Sequence, residues 1–268
     1  MRRMPGLATI LGLLAGLSAC TTLGGVAYGE RGRAPLCAQQ TPEIFVLTGG
    51  IDAEMAACVE RSFQASTREV HLDSPGGHVG AALDIAAHFE GRGLVMRVVD
   101  ECNSSCANYF LPLAGRIVVE PGAIIMLHGS LDPALRAHMI DERETFIRER
   151  MSGGASRADA IASHDSLLAN LEATSARQAE FAARNRVAPG WLLHRQPGSD
   201  DILGTAGEPD GAASTALIVE EAFMRSCLAG VQINPFDARL GRGPVGLFAR
   251  TVARLRGFAW SGEMRCVV

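Results

Sequence analysis

Three short clusters carry residue types that could together perform acyl transfer. Asp73-Ser74-Pro75-Gly76-Gly77 closes Glu69–Leu72, the pattern of a strand stopped by turn residues. Adjacent glycines let a backbone turn sharply and bare its N–H groups, which is what an oxyanion hole requires. Leu94–Val99 reads as a second strand, running into the small polar residues Asn103, Ser104 and Ser105 that open a helix. The first turn of that helix leaves N–H groups unsatisfied beside Cys106 and Ala107. A third strand, Ala123–Leu127, delivers His128 at its end. A serine or cysteine would attack, the histidine would serve as base and then acid, and the bared N–H groups would hold the oxyanion.

The elements that must position these groups alternate. Asp52–Ser66 places Met55, Cys58, Val59 and Phe63 on one helical face, and Val79–Phe89 does the same with Val79, Leu83, Ile85, Ala86 and Phe89. They would cover a sheet built from Ile44–Leu47, Glu69–Leu72, Leu94–Val99 and Ala123–Leu127. That alternation predicts an α/β fold with a mainly parallel sheet and right-handed crossovers. His78 reads either as a loop histidine or as a participant in proton transfer. Pro133–Arg186 is helical in composition and broken at Gly153-Gly154. Its Arg and Glu residues form a solvated face rather than a ligand site. Val187–Ser214 is loop-rich, and Ala216–Gly230 reads as a helix ending at a glycine cap. Val245–Phe258 is amphipathic within an arginine-rich C-terminal stretch, read as a docked terminal helix or a contact for anionic lipid.

The 268 residues are 47% hydrophobic and 20% charged with a net charge of −4, globular values that give no support for nucleic-acid binding. Met1–Ala19 has Arg2-Arg3, an apolar run and small residues, the layout of an export signal. The domains expected are 1–19 signal peptide, 20–42 flexible tether, 43–235 main α/β domain and 236–268 basic amphipathic segment. Seven cysteines occur, and setting Cys20 aside leaves six in an exported chain, the arithmetic of a disulfide set. Pairing by sequence neighbourhood gives Cys37–Cys58, Cys102–Cys106 and Cys227–Cys266. The spacings lack paired C-x-x-C knuckles, so no metal is expected.

Taken in order, these motifs resemble the Clp-protease/crotonase superfamily, in particular the peptidase branch with the Clp proteolytic subunit and signal peptide peptidase A. Ile44–Gly50 with the helix after it is similar to the first strand and helix of the Clp subunit. Asp73–Gly77 resembles the family's N-S-P-G-G, and Ser105–Leu111 its catalytic helix start. Ile125–His128 resembles the strand ending in its catalytic histidine. The resemblance spans roughly 43–130 and implies a ClpP/crotonase-like fold with a helical extension. Leu17-Ser18-Ala19-Cys20 likewise resembles a bacterial lipobox. Cys20 would then be acylated, and Thr21 after it implies the outer membrane.

The resemblance implies a site. Counting back from Tyr109-Phe110-Leu111, the family's nucleophile falls on Cys106, with Ser105 one residue earlier. Gly76, Gly77 and Ala107 would supply oxyanion donors. Asp210 would orient His128, with Asp200 and Asp201 as alternatives. The function implied is a cell-envelope serine or cysteine peptidase acting on polypeptide, without a cofactor. A helical handle like that of the Clp subunit makes homo-oligomers an option. A Cys102–Cys106 disulfide would favour the other reading, a non-catalytic binding or assembly module for an envelope protein. A coenzyme A thioester enzyme is a third reading, which export disfavours.

Overall fold

The computed structural model describes residues 36–131, 133–192, 216–238, 258–262 and 264–267. Cys20, Asp200, Asp201, Asp210, the export signal and the amphipathic stretch 245–257 lie outside the described residues.

In chain order the strands are β1 (Leu36–Gln39), β2 (Ile44–Thr48), β3 (Glu69–Ser74), β4 (Val95–Asn103), β5 (Arg116–Val119), β6 (Ile124–Leu127), β7 (Ala216–Ile218), β8 (Gln232–Ile233) and β9 (Phe258–Trp260). The helices are α1 (Ala53–Ser62), α2 (Val79–Phe89), α3 (Ser105–Tyr109), α4 (Pro133–Asp141), α5 (Arg143–Ser152), α6 (Arg157–Asn185) and α7 (Glu221–Cys227). The chain is a mixed α/β protein with a mostly parallel sheet in the order β1-β2-β3-β4-β6-β7-β9. β2, β3, β4, β5 and β6 run parallel, whereas β1 is antiparallel to β2 and β7 to β6.

β4 holds the site together because it serves two neighbours in succession. Val95–Val98 pair with Arg116–Val119 of β5, and Glu101–Asn103 pair with Ile124–Met126 of β6. Opposite β3, Leu72 faces Val98 but Ser74 faces Cys102, so β4 carries extra residues there and bends between its two partners. Alternation along β3 buries Val70, Leu72 and Ser74 on the helix-covered face and leaves Glu69, His71 and Asp73 partly exposed on the other. On the open face Arg97 ties Glu69 to Glu120, and His71 hydrogen-bonds Glu69 at 2.8 Å.

α1 begins at Asp52, whose carboxylate accepts from the Met55 N–H at 2.8 Å, and it buries Met55 and Val59. α2 is almost wholly apolar and buries Ala82, Leu83, Ile85, Ala86 and Phe89. Phe45, Phe63, Phe89 and Phe110 pack in a chain of ring contacts with centroids 5.2–5.4 Å apart, joining β2, both helices and the end of α3. Three disulfides close the unit: Cys37–Cys58 ties β1 to α1, Cys102–Cys106 ties β4 to α3, and Cys227–Cys266 ties α7 to the C-terminal segment.

Several elements differ from the sequence expectation. β1 lies inside the stretch read as tether, where it pairs with β2 through Cys37↔Leu47 and is bridged to α1. The helix expected over 216–230 is split: Ala216–Ile218 forms β7 against β6, and only Glu221–Cys227 is helical. β-branched and aliphatic residues there find a ladder partner, which outweighs local helix propensity. The 133–186 region breaks once more than expected, at Glu142 between α4 and α5.

Candidate active site

Parallel α/β sheets present ligands at the carboxyl ends of their strands. Here those of β3, β4 and β6 lead to Pro75-Gly76-Gly77, Ser104 and His128. Ser74, fully buried at the end of β3, donates its hydroxyl to the Gly49 carbonyl at 2.7 Å and accepts from the Gly76 N–H at 3.1 Å. Ile51 N–H donates to the Gly76 carbonyl and His78 N–H to the Ile51 carbonyl. These two bonds pin the glycine turn to the loop before α1. Because they use Gly76 C=O and His78 N–H, the alternation of an extended chain turns the N–H and C=O of Gly77 the other way, toward α3. The Gly77 carbonyl there accepts the Ser105 hydroxyl at 2.7 Å.

The glycines are required by close approach as well as by conformation. Gly76 has φ +93°, and a Cβ on it would lie 2.5 Å from the Asn103 carbonyl and 2.7 Å from the Ser104 Cβ. The same point is 3.0 Å from the Ser105 nitrogen. The glycine turn thus sits directly on the junction of β4 and α3, with the Ser105 N–H beside it. At Gly77 a Cβ would meet the Ile51 carbonyl oxygen at 2.2 Å.

That junction holds the least ordinary backbone among the described residues. Ser104 has φ 52° and ψ −123° and makes no side-chain cap bond to α3. Arg186, the other described non-glycine residue with positive φ, is in the ordinary left-handed region as the C-cap of α6. Ser104 is not in that region. Such a conformation costs on the order of 1–3 kcal/mol and persists only where its surroundings impose it. Here they are the Ser104 N–H bonded to the Met126 carbonyl at 2.8 Å, the Asn108 N–H bonded to the Ser104 carbonyl at 2.8 Å, and the Cys102–Cys106 bridge spanning the turn. A sharp, strained strand-to-helix turn is one way a fold presents a serine hydroxyl for attack.

Ser104, Ser105 and Cys106 have different surroundings. Cys106 is fully buried and bridged to Cys102, so the thiol chemistry assigned to it is not open to the bridged sulfur. Ser105 is 2% exposed, with its hydroxyl committed to Gly77. Ser104 is half-buried. Counting back from Tyr109-Phe110-Leu111 reaches Cys106 and Ser105, whereas the strained turn is at Ser104. The signal that could have found it is the S-S pair itself, since only one of the two can occupy the turn. The first N–H after this turn is that of Ser105. Ala107 lies fully buried, with its carbonyl accepting from the Trp191 indole at 3.0 Å.

His128 is exposed, two residues past Met126, whose carbonyl holds the Ser104 N–H. The segment after it is fixed from behind. Gln178 of α6 accepts from the Leu131 N–H at 3.3 Å and donates to the Leu131 carbonyl at 2.9 Å. The same carboxamide oxygen accepts from the Tyr109 hydroxyl at 2.6 Å and from the Ser130 hydroxyl. Burial pushes the Tyr109 hydroxyl up to about 12, so it stays a neutral donor at any ordinary pH. One carboxamide therefore joins α3, the histidine segment and α6. His78 caps α2, accepting from the Ala81 N–H at 3.4 Å.

Among the described residues no group of three or more His, Cys, Asp or Glu side chains could hold a metal, and no helix is long and apolar enough to cross a membrane. No protein-family profile matches the chain, and no curated protein sequence does. Among solved structures, one similar chain is a mutant of the 1510-N membrane-bound stomatin-specific protease, at 16% identity and a TM-score of 0.28, covering 44% of this chain and 68% of that one.

Proposed function

We propose that this chain is a serine peptidase of the cell envelope, with a ClpP/crotonase-like fold, in which Ser104 is the nucleophile and His128 the base. The observation that carries the reading is the strained turn at Ser104, packed against Gly76 and followed by the free first turn of α3. The Ser104 oxygen adds to the substrate carbonyl while His128 takes its proton, and the carbonyl electrons move onto oxygen. The N–H groups of Gly77 and Ser105 receive that oxyanion. Collapse breaks the C–N bond, and His128 returns the proton to the departing amine. Water then attacks the acyl-serine with His128 again as base, releasing the acid and restoring the serine. Asp210 remains the candidate to orient His128. Acylation of Cys20 would hold the domain on the periplasmic side, facing polypeptide substrates.

The supporting experiment is hydrolysis of an unfolded protein by oxidised, mature chain. Ser104→Ala and His128→Ala should each lower the rate by three orders of magnitude or more, as removal of a nucleophile or its base does. Full activity in Ser104→Ala would overturn the assignment. One observation favours the second reading, a non-catalytic binding module: the position that family counting gives the nucleophile is a bridged cysteine. Absence of hydrolysis in the folded, oxidised wild type would select it.

A further inference from the structure

One polar side chain beside Ser104 has no use in the chemistry above. Asn108 is 2% exposed, and its carboxamide oxygen is buried with no hydrogen-bond partner. Leaving such an acceptor unsatisfied is costly, and in folded proteins the exceptions call for a reason. Asn108 is four residues past Ser104, and its N–H donates to the Ser104 carbonyl at 2.8 Å. That bond is the first of α3 and closes onto its N-cap carbonyl, which sets Asn108 one turn along the helix from the Ser104 turn. The neighbouring faces of α3 are occupied: Ser105 points to Gly77, Cys106 to Cys102, and Tyr109 to Gln178. Asn103 also has an unpartnered oxygen, but its amide donates to Glu101 at 2.6 Å. Strand alternation puts Asn103 with Glu101, on the face of β4 opposite Cys102 and α3.

We infer that Asn108 reads the side chain of the substrate residue whose carbonyl Ser104 attacks, and selects a hydrogen-bond donor there. This rests on the peptidase reading. The residue bearing the attacked carbonyl sits against Ser104, and a side chain of glutamine length spans roughly the 5 Å of one helical turn that separates Asn108 from that junction. An amide or hydroxyl side chain satisfies the buried oxygen. An aliphatic one leaves it bare, and a carboxylate sets acceptor against acceptor. Sites built to hydrogen-bond a group reject analogues lacking it far more strongly than apolar pockets reject an extra methylene.

The test uses the full mature chain, oxidised, and fluorogenic peptides identical except for the residue before the scissile bond: Gln, its apolar near-isostere Met, Glu, or Lys. The wild type should favour Gln over Met in kcat/KM by on the order of tenfold to a hundredfold, with Glu poorest. Asn108→Leu should bring the Gln/Met ratio to about one or below. Asn108→Asp should shift the preference from Gln to Lys, and it decides the matter if the leucine variant does not fold. A flat or Met-favouring wild-type profile, or one that neither variant changes, overturns the inference. Fluorophosphonate labelling of the wild type separates the two failures. A labelled Ser104 with a flat profile defeats the Asn108 inference alone, whereas an unlabelled Ser104 defeats the peptidase reading and this inference with it.

Discussion

Replacing Gly76 by alanine should separate conformational strain from steric collision at the site, because Gly129 supplies a matched control. Gly76 has φ +93° and Gly129 φ +90°, so an L side chain meets nearly the same backbone penalty at both. Around Gly129 a Cβ would meet nothing within 4 Å, whereas at Gly76 it would collide at 2.5 Å with a backbone oxygen and at 2.7 Å with the Ser104 Cβ. The shared penalty for positive φ is roughly 1–2 kcal/mol. Forcing a methyl into packed backbone adds a further ~1–3 kcal/mol. Gly76→Ala should therefore be less stable than Gly129→Ala by about 1–3 kcal/mol. Urea unfolding of oxidised protein measures this as a lower midpoint with unchanged slope. Equal midpoints for the two variants would refute the claim that the glycine turn is pressed against the Ser104 junction.

Other perturbations test neighbouring parts. Removing Cys102–Cys106 as a double serine variant should cost about 2 kcal/mol, and removing Cys227–Cys266 about 4 kcal/mol, because the loops closed differ in length, with separations of 4 and 39 residues. Hydrolysis should nevertheless fall further for the shorter bridge, which spans Ser104; rates normalised to folded protein decide this. Gln178→Leu strips the Leu131 backbone pair of its partner and leaves the Tyr109 and Ser130 hydroxyls only each other, and should lower stability by roughly 2–4 kcal/mol by denaturant titration. Burial raises the Glu69 carboxyl, but hydrogen bonds and charge from Arg97 and His71 outweigh it and hold the group below the usual glutamate range. Its contribution is therefore present above the unfolded value and lost as pH falls through the depressed folded one. Glu69→Gln should flatten stability between neutral pH and the acid side of that window, as read by unfolding at several pH values.

Much of the frame was legible because each element obeyed its own period. The stripe Met55–Val59 and the apolar run of α2 gave helices at nearly the right bounds, and alternation in Glu69–Leu72 marked β3. The turn cluster marked the end of β3 to within two residues, since the strand runs on through Asp73 and Ser74, and the adjacent glycines announced the sharp turn that follows. What could not be read depended on partners distant in the chain. β1 is a strand because β2 and Cys58 hold it, and β7 exists because β6 offers an edge. The different settings of the three residues that open α3 were out of reach for a similar reason. Ser104, Ser105 and Cys106 are interchangeable as helix openers. They are told apart only by the Met126 carbonyl, the Gly77 carbonyl and Cys102, contacts that belong to three separate strand ends.

The central claim is that Ser104, and not its neighbours, is the reactive hydroxyl. Its most direct test is to treat the folded, oxidised chain with a fluorophosphonate and map the adduct by peptide mass spectrometry. A single adduct on Ser104, absent from heat-unfolded protein and from His128→Ala, is the predicted result. An adduct on Ser105, or a folded wild type that takes up no label, would contradict it.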